Sequence, residues 1–377
     1  MEKVRLFFAG DFCSTPSPEA IKVSDELKAL MHSCDLRICN FEIPLLPDTP
    51  VQTYYHQHDD SPAFLESLGF DLFGMANNHA FDCGVEGFRK TCHALHGKTF
   101  GAGTYDEAYA LKIVEVKGRR LGFMALTYAA KKGVFDDVAH HEGLGCAYIH
   151  DLRVNHDVMA AKQQVDYLFV LPHDGLEYID VPLPETMARY RDLIDYGADA
   201  IIAAHPHCPQ GWESYKGKMI FYSLGNFFFN SKNTPDFQSS RPHWYEGLCV
   251  LLTLSDEGIS FEVVNTRNTN NRLLSLENTE ARKKHNQLIC HYLNDEAAYW
   301  QYLEAQLEKL AAEQEFPVVR RFYAKLSWPL FYKSLRSKLK AILTGRTAVV
   351  SEGLLMLAKN DSRRQGLIRV LRKNNNK

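Results

Sequence analysis

The chain lacks several features that would place it quickly. Its nine cysteines form no Cys-x-x-Cys pair, which argues against both a disulfide framework and a soft thiolate metal cluster. No stretch offers the roughly 18 uninterrupted apolar residues that cross a bilayer as a helix. The opening MEKVRLFFAGDF passes straight from a short apolar run into a turn, without the long apolar core and small-residue cleavage site of a secretory signal. These absences lead to the expectation of a cytoplasmic protein with buried thiols. There are no internal repeats, and only the NNNK end has a disordered composition.

What remains is ordinary for a soluble globular chain of 377 residues, 45% hydrophobic and 24% charged. The net charge of −3 conceals an asymmetry. From Phe316 to Lys377 there are 15 Lys and Arg against two acids, Glu352 and Asp361, so the rest of the chain is strongly acidic. The two regions are expected to meet different partners.

Apolar runs rich in β-branched and aromatic residues alternate with helical segments, the pattern of an α/β domain. Ten strands are expected between Val4 and Val264, with helices over Ser24–Met31, Val85–His96, Val158–Gln164 and Glu185–Tyr196. That is many strands for few helices, which suits two packed sheets covered by helices better than one doubly wound sheet. The polar tract from Asn265 to Arg272 reads as a linker, and helical runs follow it. The expected division is therefore 1–268 for an α/β domain and 269–377 for a basic helical region.

Polar residues collect at the carboxyl ends of the expected strands: Gly10-Asp11, Asn40-Phe41-Glu42, Ala76-Asn77-Asn78-His79, His173-Asp174-Gly175-Leu176-Glu177 and His205-Pro206-His207. Open α/β sheets hold ligands at those ends. Singly, each cluster is as well explained by a turn, a helix cap or a solvated histidine. Jointly, Asp11, Glu42, Asn78, His173, His205 and His207 supply carboxylate, amide and imidazole donors, a mixture that suits a pair of divalent transition metals. Alternate residues of an extended segment point the same way, so His205 and His207 are expected to face one site.

In this order the motifs, together with Gln210-Gly211 and Tyr222-Ser223-Leu224-Gly225-Asn226-Phe227, resemble the CapA family of poly-gamma-glutamate capsule biosynthesis proteins. That family is similar to the calcineurin-like metallophosphoesterases. The resemblance spans roughly residues 4–265 and implies a four-layer αββα sandwich, here with a C-terminal helical extension. It implies two divalent ions (Mn, Zn or Fe), with Glu42 as the bridging carboxylate, Asp11 and His207 on one ion, and Asn78, His173 and His205 on the other. It makes His79 the residue that contacts substrate or protonates the leaving group, and the activity a metal-dependent hydrolysis. Three positions depart from the family pattern. Cys13 stands where Asp-x-His is usual, as a ligand or, by preference, an inert buried thiol. Asp174 replaces an aromatic residue, and Ala80 replaces a common serine.

Other features have plainer readings. Arg241 and His243 are candidates for binding an anionic small-molecule or polymer substrate, with a solvated basic loop as the equal alternative. Gly101-Ala102-Gly103 before Thr104 reads as a turn, and Phe227–Phe229 as filling between sheets. In the basic tail, Arg320, Arg321, Lys325, Lys333, Arg336, Lys338 and Lys340 interleave with aromatic residues. Docking on a protein partner or on the acidic domain is the first reading and an anionic membrane surface the second. Nucleic acid ranks below both.

Overall fold

In the computed structural model the described residues are 2–51, 53, 55–128, 133–134, 143–230, 241 and 243–312. They contain two large sheets. The first has nine strands, in the order Lys22–Val23, Leu273–Leu276, Gly258–Thr269, Glu246–Ser255, Val4–Ser14, Leu36–Phe41, Leu72–Gly74 and Thr99–Phe100, with Asn226–Asn230 paired to Val4–Ser14 off this path. The second has six, in the order Trp212–Tyr215, Lys218–Phe221, Ala200–Ile202, Tyr167–His173, Arg119–Thr127 and Lys112–Val116. A short antiparallel pair joins Ala102–Thr104 to Leu144–Cys146.

Strands buried on both faces have no need of alternation, and the central ones run nearly continuously apolar. Val4, Leu6, Phe7 and Phe8 are buried, as are Leu121, Phe123, Met124, Ala125 and Leu126. Between the sheets, Phe8 of the first meets Phe169 of the second at 5.7 Å between ring centroids, and Phe123 stacks on Phe169 at 5.5 Å. Helices Asp25–His32, Ser61–Ser67 and Gly84–Ala94 add Leu27, Met31, Leu65 and Phe88 to the same core. Helices Arg153–Lys162 and Pro184–Asp195 pack on the six-stranded sheet, with Val158, Tyr190 and Leu193 turned inward. The result is an α/β sandwich of two sheets with helices outside, as the motifs imply.

The expected division at residue 268 is corrected. Residue 268 lies inside the strand Gly258–Thr269, which turns through Asn270 and Asn271, at φ 55° and 54°, and returns as Leu273–Leu276 in register with it. The tract read as a linker is the tip of a β-hairpin, because two successive asparagines tolerate the positive φ that a tight hairpin turn needs. The first compact unit runs on to Glu296 and includes the helix Glu280–Asn294. The second unit begins at Ala297, and its described residues belong to the helix Glu296–Ala312. The basic helices expected beyond Phe316 lie outside the described residues.

Two smaller readings fare differently. Gly101 bends the chain at φ 89°, but Ala102–Thr104 runs as a strand before Thr104 caps the short helix Tyr105–Tyr109 with Glu107 answering, so the expected turn is confined to Gly101. All nine cysteines are free, as the missing framework implied.

The inter-sheet aromatics give a direct test of the core. Phe169→Ala removes a fully buried ring that touches both sheets and should lower the unfolding free energy by about 3–5 kcal/mol. Leu152→Ala, at a side chain 88% exposed, should change it by less than about 0.5 kcal/mol. Urea unfolding of the two variants side by side checks the contrast.

Candidate metal centre

The site forms where strand ends of both sheets meet. Val4–Ser14 runs parallel to Leu36–Phe41 and to Asn226–Asn230, and both pairings shift register at Asp11. This irregularity sets Asp11 beside Asn40 on one flank and Asn226 on the other. Irregularities of this kind re-aim a side chain at the rim of a sheet. The backbones are so close that a Cβ built on Gly10 would lie 1.9 Å from the Gly225 carbonyl oxygen. Only glycine fits at position 10, and the adjoining Asp11 amide donates to that same carbonyl at 3.0 Å.

Asp11 is wholly buried. Asn40 Nδ2 donates to its Oδ1 at 2.7 Å, and the His205 amide donates to its Oδ2 at 3.1 Å. The imidazoles of His173 and His207 also stand close, at 3.5 and 3.8 Å. Burial raises its pKa, but the His173 and His207 imidazoles and the Asn40 amide outweigh burial and hold the carboxyl below the usual range.

Glu42 is equally buried and stands at the centre of the cluster. Its Oε1 lies 3.7 Å from His79 Nε2, 3.9 Å from His173 Nε2 and 3.9 Å from His207 Nε2. These separations are too long for hydrogen bonds and suit donors arranged around shared cations. Asp11, Glu42 and His207 offer ligand atoms that all lie within 4.8 Å of one another. On the other side, His173 Nε2 is 2.8 Å from Asn78 Oδ1 and 3.1 Å from His205 Nδ1. All six residues singled out as metal ligands therefore meet in one buried cluster.

Orientation is set by neighbouring residues. Asn226 Nδ2 donates to the Trp244 carbonyl at 2.9 Å, which turns its Oδ1 toward His207 Nδ1 at 2.9 Å. The His207 proton is thereby placed on Nδ1, and the Nε2 lone pair faces Glu42. Burial pushes the His207 pKa down, against the pull of Asp11, so the ring is neutral and able to ligate near pH 7. His79 Nδ1 meets Asp82 Oδ2 at 2.5 Å, which directs its Nε2 toward Glu42 in the same way.

Backbone strain also gathers here. Ile43, Tyr178, His205 and His207 take φ of 69°, 69°, 106° and 55°, conformations that non-glycine residues hold only when their surroundings insist. This corrects the geometric reason given for the His205-x-His207 pair. Pairing with the neighbouring strand continues to Ala204, which bridges to His173, and the backbone then leaves the extended region at His205. The rings face one cluster, 6.0 Å apart, because two positive-φ residues flank Pro206, with the Tyr178 amide donating to the Pro206 carbonyl at 2.8 Å.

Cys13 lies with Ile43, Phe229 and Trp244 in a small buried apolar cluster. Burial and the Glu42 charge push its thiol pKa far up, the environment of an inert thiol rather than a thiolate ligand. Phe227 and Phe228 fill the main core, but Phe229 does not: its ring packs edge-on to His207 at 4.8 Å and forms part of the wall of the centre.

The two candidate substrate residues separate. Arg241 places its guanidinium over the Tyr178 ring at 4.6 Å, and Tyr178 in turn stacks beside His207 at 6.1 Å. His243 turns away to Glu246, Asp180 and His285. Asn40, Asn226 and Asp82 were not singled out as functional from the sequence, although the first two lie within the quoted motifs and Asp82 follows His79 at the three-residue spacing of a turn.

The donor set fits a pair of divalent cations: two carboxylates, three imidazoles and an amide oxygen, with no thiolate among them. Comparison with known proteins identifies the family. The chain is 29% identical over 211 residues to the capsule biosynthesis protein CapA of Bacillus anthracis, covering 51% of this chain and 49% of that one. It is 28% identical over 230 residues to the PGA biosynthesis protein CapA of Bacillus subtilis, covering 57% and 59%. It is 27% identical over 242 residues to a Mycobacterium tuberculosis protein named "Probable polyglutamine synthesis accessory protein", covering 60% and 63%. The matched region thus spans about half to three-fifths of these relatives' own length. The family model "Bacterial capsule synthesis protein PGA_cap" matches residues 5–231, from the first strand through the last motif of the site, and the chain belongs to that family.

Proposed function

We propose that this protein is a metal-dependent hydrolase acting on a phosphorylated or gamma-glutamyl compound in the assembly of a capsule-type or other surface polymer. The observation that carries this reading is the buried Glu42 carboxylate, with three imidazole nitrogens 3.7–3.9 Å from one of its oxygens. Asp11, Glu42 and His207 would hold one cation, and Asn78, His173 and His205 the other, with Glu42 shared. A bound pair of divalent ions supplies Lewis acidity and makes hydroxide available near neutral pH.

The chain's own residues supply the rest. Asp82 holds a proton on His79 Nδ1 and stabilises the imidazolium, so Nε2 can give up a proton to a departing group at the rim. The Arg241 guanidinium, seated on Tyr178 beside His207, is placed to attract a phosphate or carboxylate. Trp244, Phe229 and Tyr178 surround His207 and keep water from its ring, which strengthens every charge interaction inside.

A second reading has support of its own. A relative is named as an accessory protein in polyglutamine synthesis, and an inert Cys13 stands where a phosphoesterase has a histidine. On that reading the centre is structural, and the basic tail recruits a polymer synthase or an anionic membrane surface. Among the described residues no helix is long and apolar enough to cross a membrane.

Elemental analysis and activity assays separate the two. Glu42→Ala and His205→Ala should each lose bound metal while keeping the wild-type far-ultraviolet circular dichroism. His79→Ala should keep its metal and lose about 10²–10⁴-fold in hydrolysis, read with phosphomonoesters, phosphodiesters and gamma-glutamyl amides in manganese, zinc or iron. Silence of the wild type on every substrate and metal would favour the accessory reading. Asn226→Ala, which removes the acceptor that orients His207, should weaken metal affinity about 10–100-fold, measured by competition with a chromophoric chelator.

A further inference from the structure

A second group of ligand-bearing side chains lies apart from the Glu42 cluster. Asp180 follows the strand Tyr167–His173, His243 precedes the strand Glu246–Ser255, and His285 sits on the helix Glu280–Asn294. Their ligand atoms all lie within 4.8 Å of one another. His243 and His285 are beyond residues 5–231, where the family match ends. The helix that carries His285 is therefore an element of this chain that the family model does not describe.

The distances are informative. Asp180 Oδ2 is 3.6 Å from His243 Nε2 and 3.4 Å from His285 Nε2, and the two imidazole rings lie 4.6 Å apart. A direct carboxylate–imidazole hydrogen bond would be about 2.7–3.2 Å. Two ligands on a tetrahedral zinc at about 2.0–2.1 Å stand about 3.3 Å from each other, which is close to the spacing found. His285 Nε2 is buried with no hydrogen-bond partner, although the Asp180 carboxylate stands just beyond reach. The Asp180 side chain is 5% exposed and the two histidines 22–24%, so the group is sheltered yet open to an entering ion.

The tautomer is also set for ligation. His243 Nδ1 meets Glu246 Oε2 at 2.6 Å, which keeps the proton on Nδ1 and leaves the Nε2 lone pair toward Asp180. Glu246 is itself anchored by Arg282 Nη1 at 2.6 Å. A carboxylate behind a ligating histidine is the usual arrangement around a zinc ion. Without a cation, His285 Nε2 has no hydrogen-bond partner, and both imidazole Nε2 atoms stand beyond hydrogen-bond reach of the Asp180 oxygen that they face.

We propose that Asp180, His243 and His285 form a mononuclear zinc site, with Glu246 orienting His243 and a water completing four-coordination. Such an ion would tie the helix Glu280–Asn294 to the loop that carries Glu177 and Tyr178, the residues nearest His205 and His207 on that side. Its role is to fix that loop, independent of what the Glu42 centre does.

Crystals of the full chain soaked in zinc chloride test this without any substitution. The proposal expects an anomalous peak at the zinc edge within about 2.2 Å of ligand atoms of Asp180, His243 and His285. No peak there, whatever appears beside Glu42, overturns it. Calorimetric titration of the chelator-stripped full chain with zinc gives the second measurement. His285→Gln should bind one equivalent fewer than wild type, and Asp180→Asn should bind at this site at least about tenfold more weakly. Unchanged stoichiometry and affinity in folded variants would also overturn the site. Should either variant fail to fold, the anomalous map decides alone.

Discussion

Everything at the Glu42 centre depends on how closely three strands approach at one point. Asp11 can be flanked by Asn40 and Asn226 only because Gly10 has no side chain to collide with the Gly225 carbonyl. That contact puts a wholly buried carboxylate among amides and imidazoles, where its charge is held by hydrogen bonds and neighbouring rings instead of water. Isolated buried charge is expensive. Histidines, amides and strained backbone are gathered around it as compensation, and a divalent cation is the partner that this composition suits.

The same contact explains why the strained residues are where they are. His205 and His207 reach the cluster from backbone that has left the strand conformation, with φ of 106° and 55°. The turn into positive φ just after Ala204 sets their rings 6.0 Å apart at the cluster. The Asp11 carboxylate accepts from the His205 amide, so one candidate ligand holds the backbone that carries another. Conformational strain and binding chemistry are thus joined in a single hydrogen bond.

Much of this was legible in the sequence, and the exceptions have physical causes. The strand-end motifs could be placed because apolar runs ending in Asp, Asn and His are local signals, and the six candidate ligands named from them do converge. The hairpin at Asn270-Asn271 was misread because a polar tract looks the same in a linker and at a turn tip, and only pairing across Thr269 and Leu273 distinguishes them. Asn40, Asn226 and Asp82 were passed over because their work is to orient other side chains, and a single sequence does not reveal which amide faces which ring. Phe229 was assigned to the core because an aromatic run reads as filling, and nothing local distinguishes it from Phe227 and Phe228, although its ring lies beside His207. The cluster of Asp180, His243 and His285 had no sequence signature, since its members lie on three distant elements.

The separation along the chain has a temporal consequence. Asp11 and His205, joined by a hydrogen bond, are 194 residues apart in sequence. At synthesis rates of about 5–20 residues per second, the ribosome delivers the second roughly 10–40 s after the first. Just before the end of that interval the nascent chain carries Asp11, Glu42, Asn78 and His173 but neither His205 nor His207. On the proposed reading, ions would enter only after the His205-Pro206-His207 motif has been translated, which would make their insertion a late step of maturation.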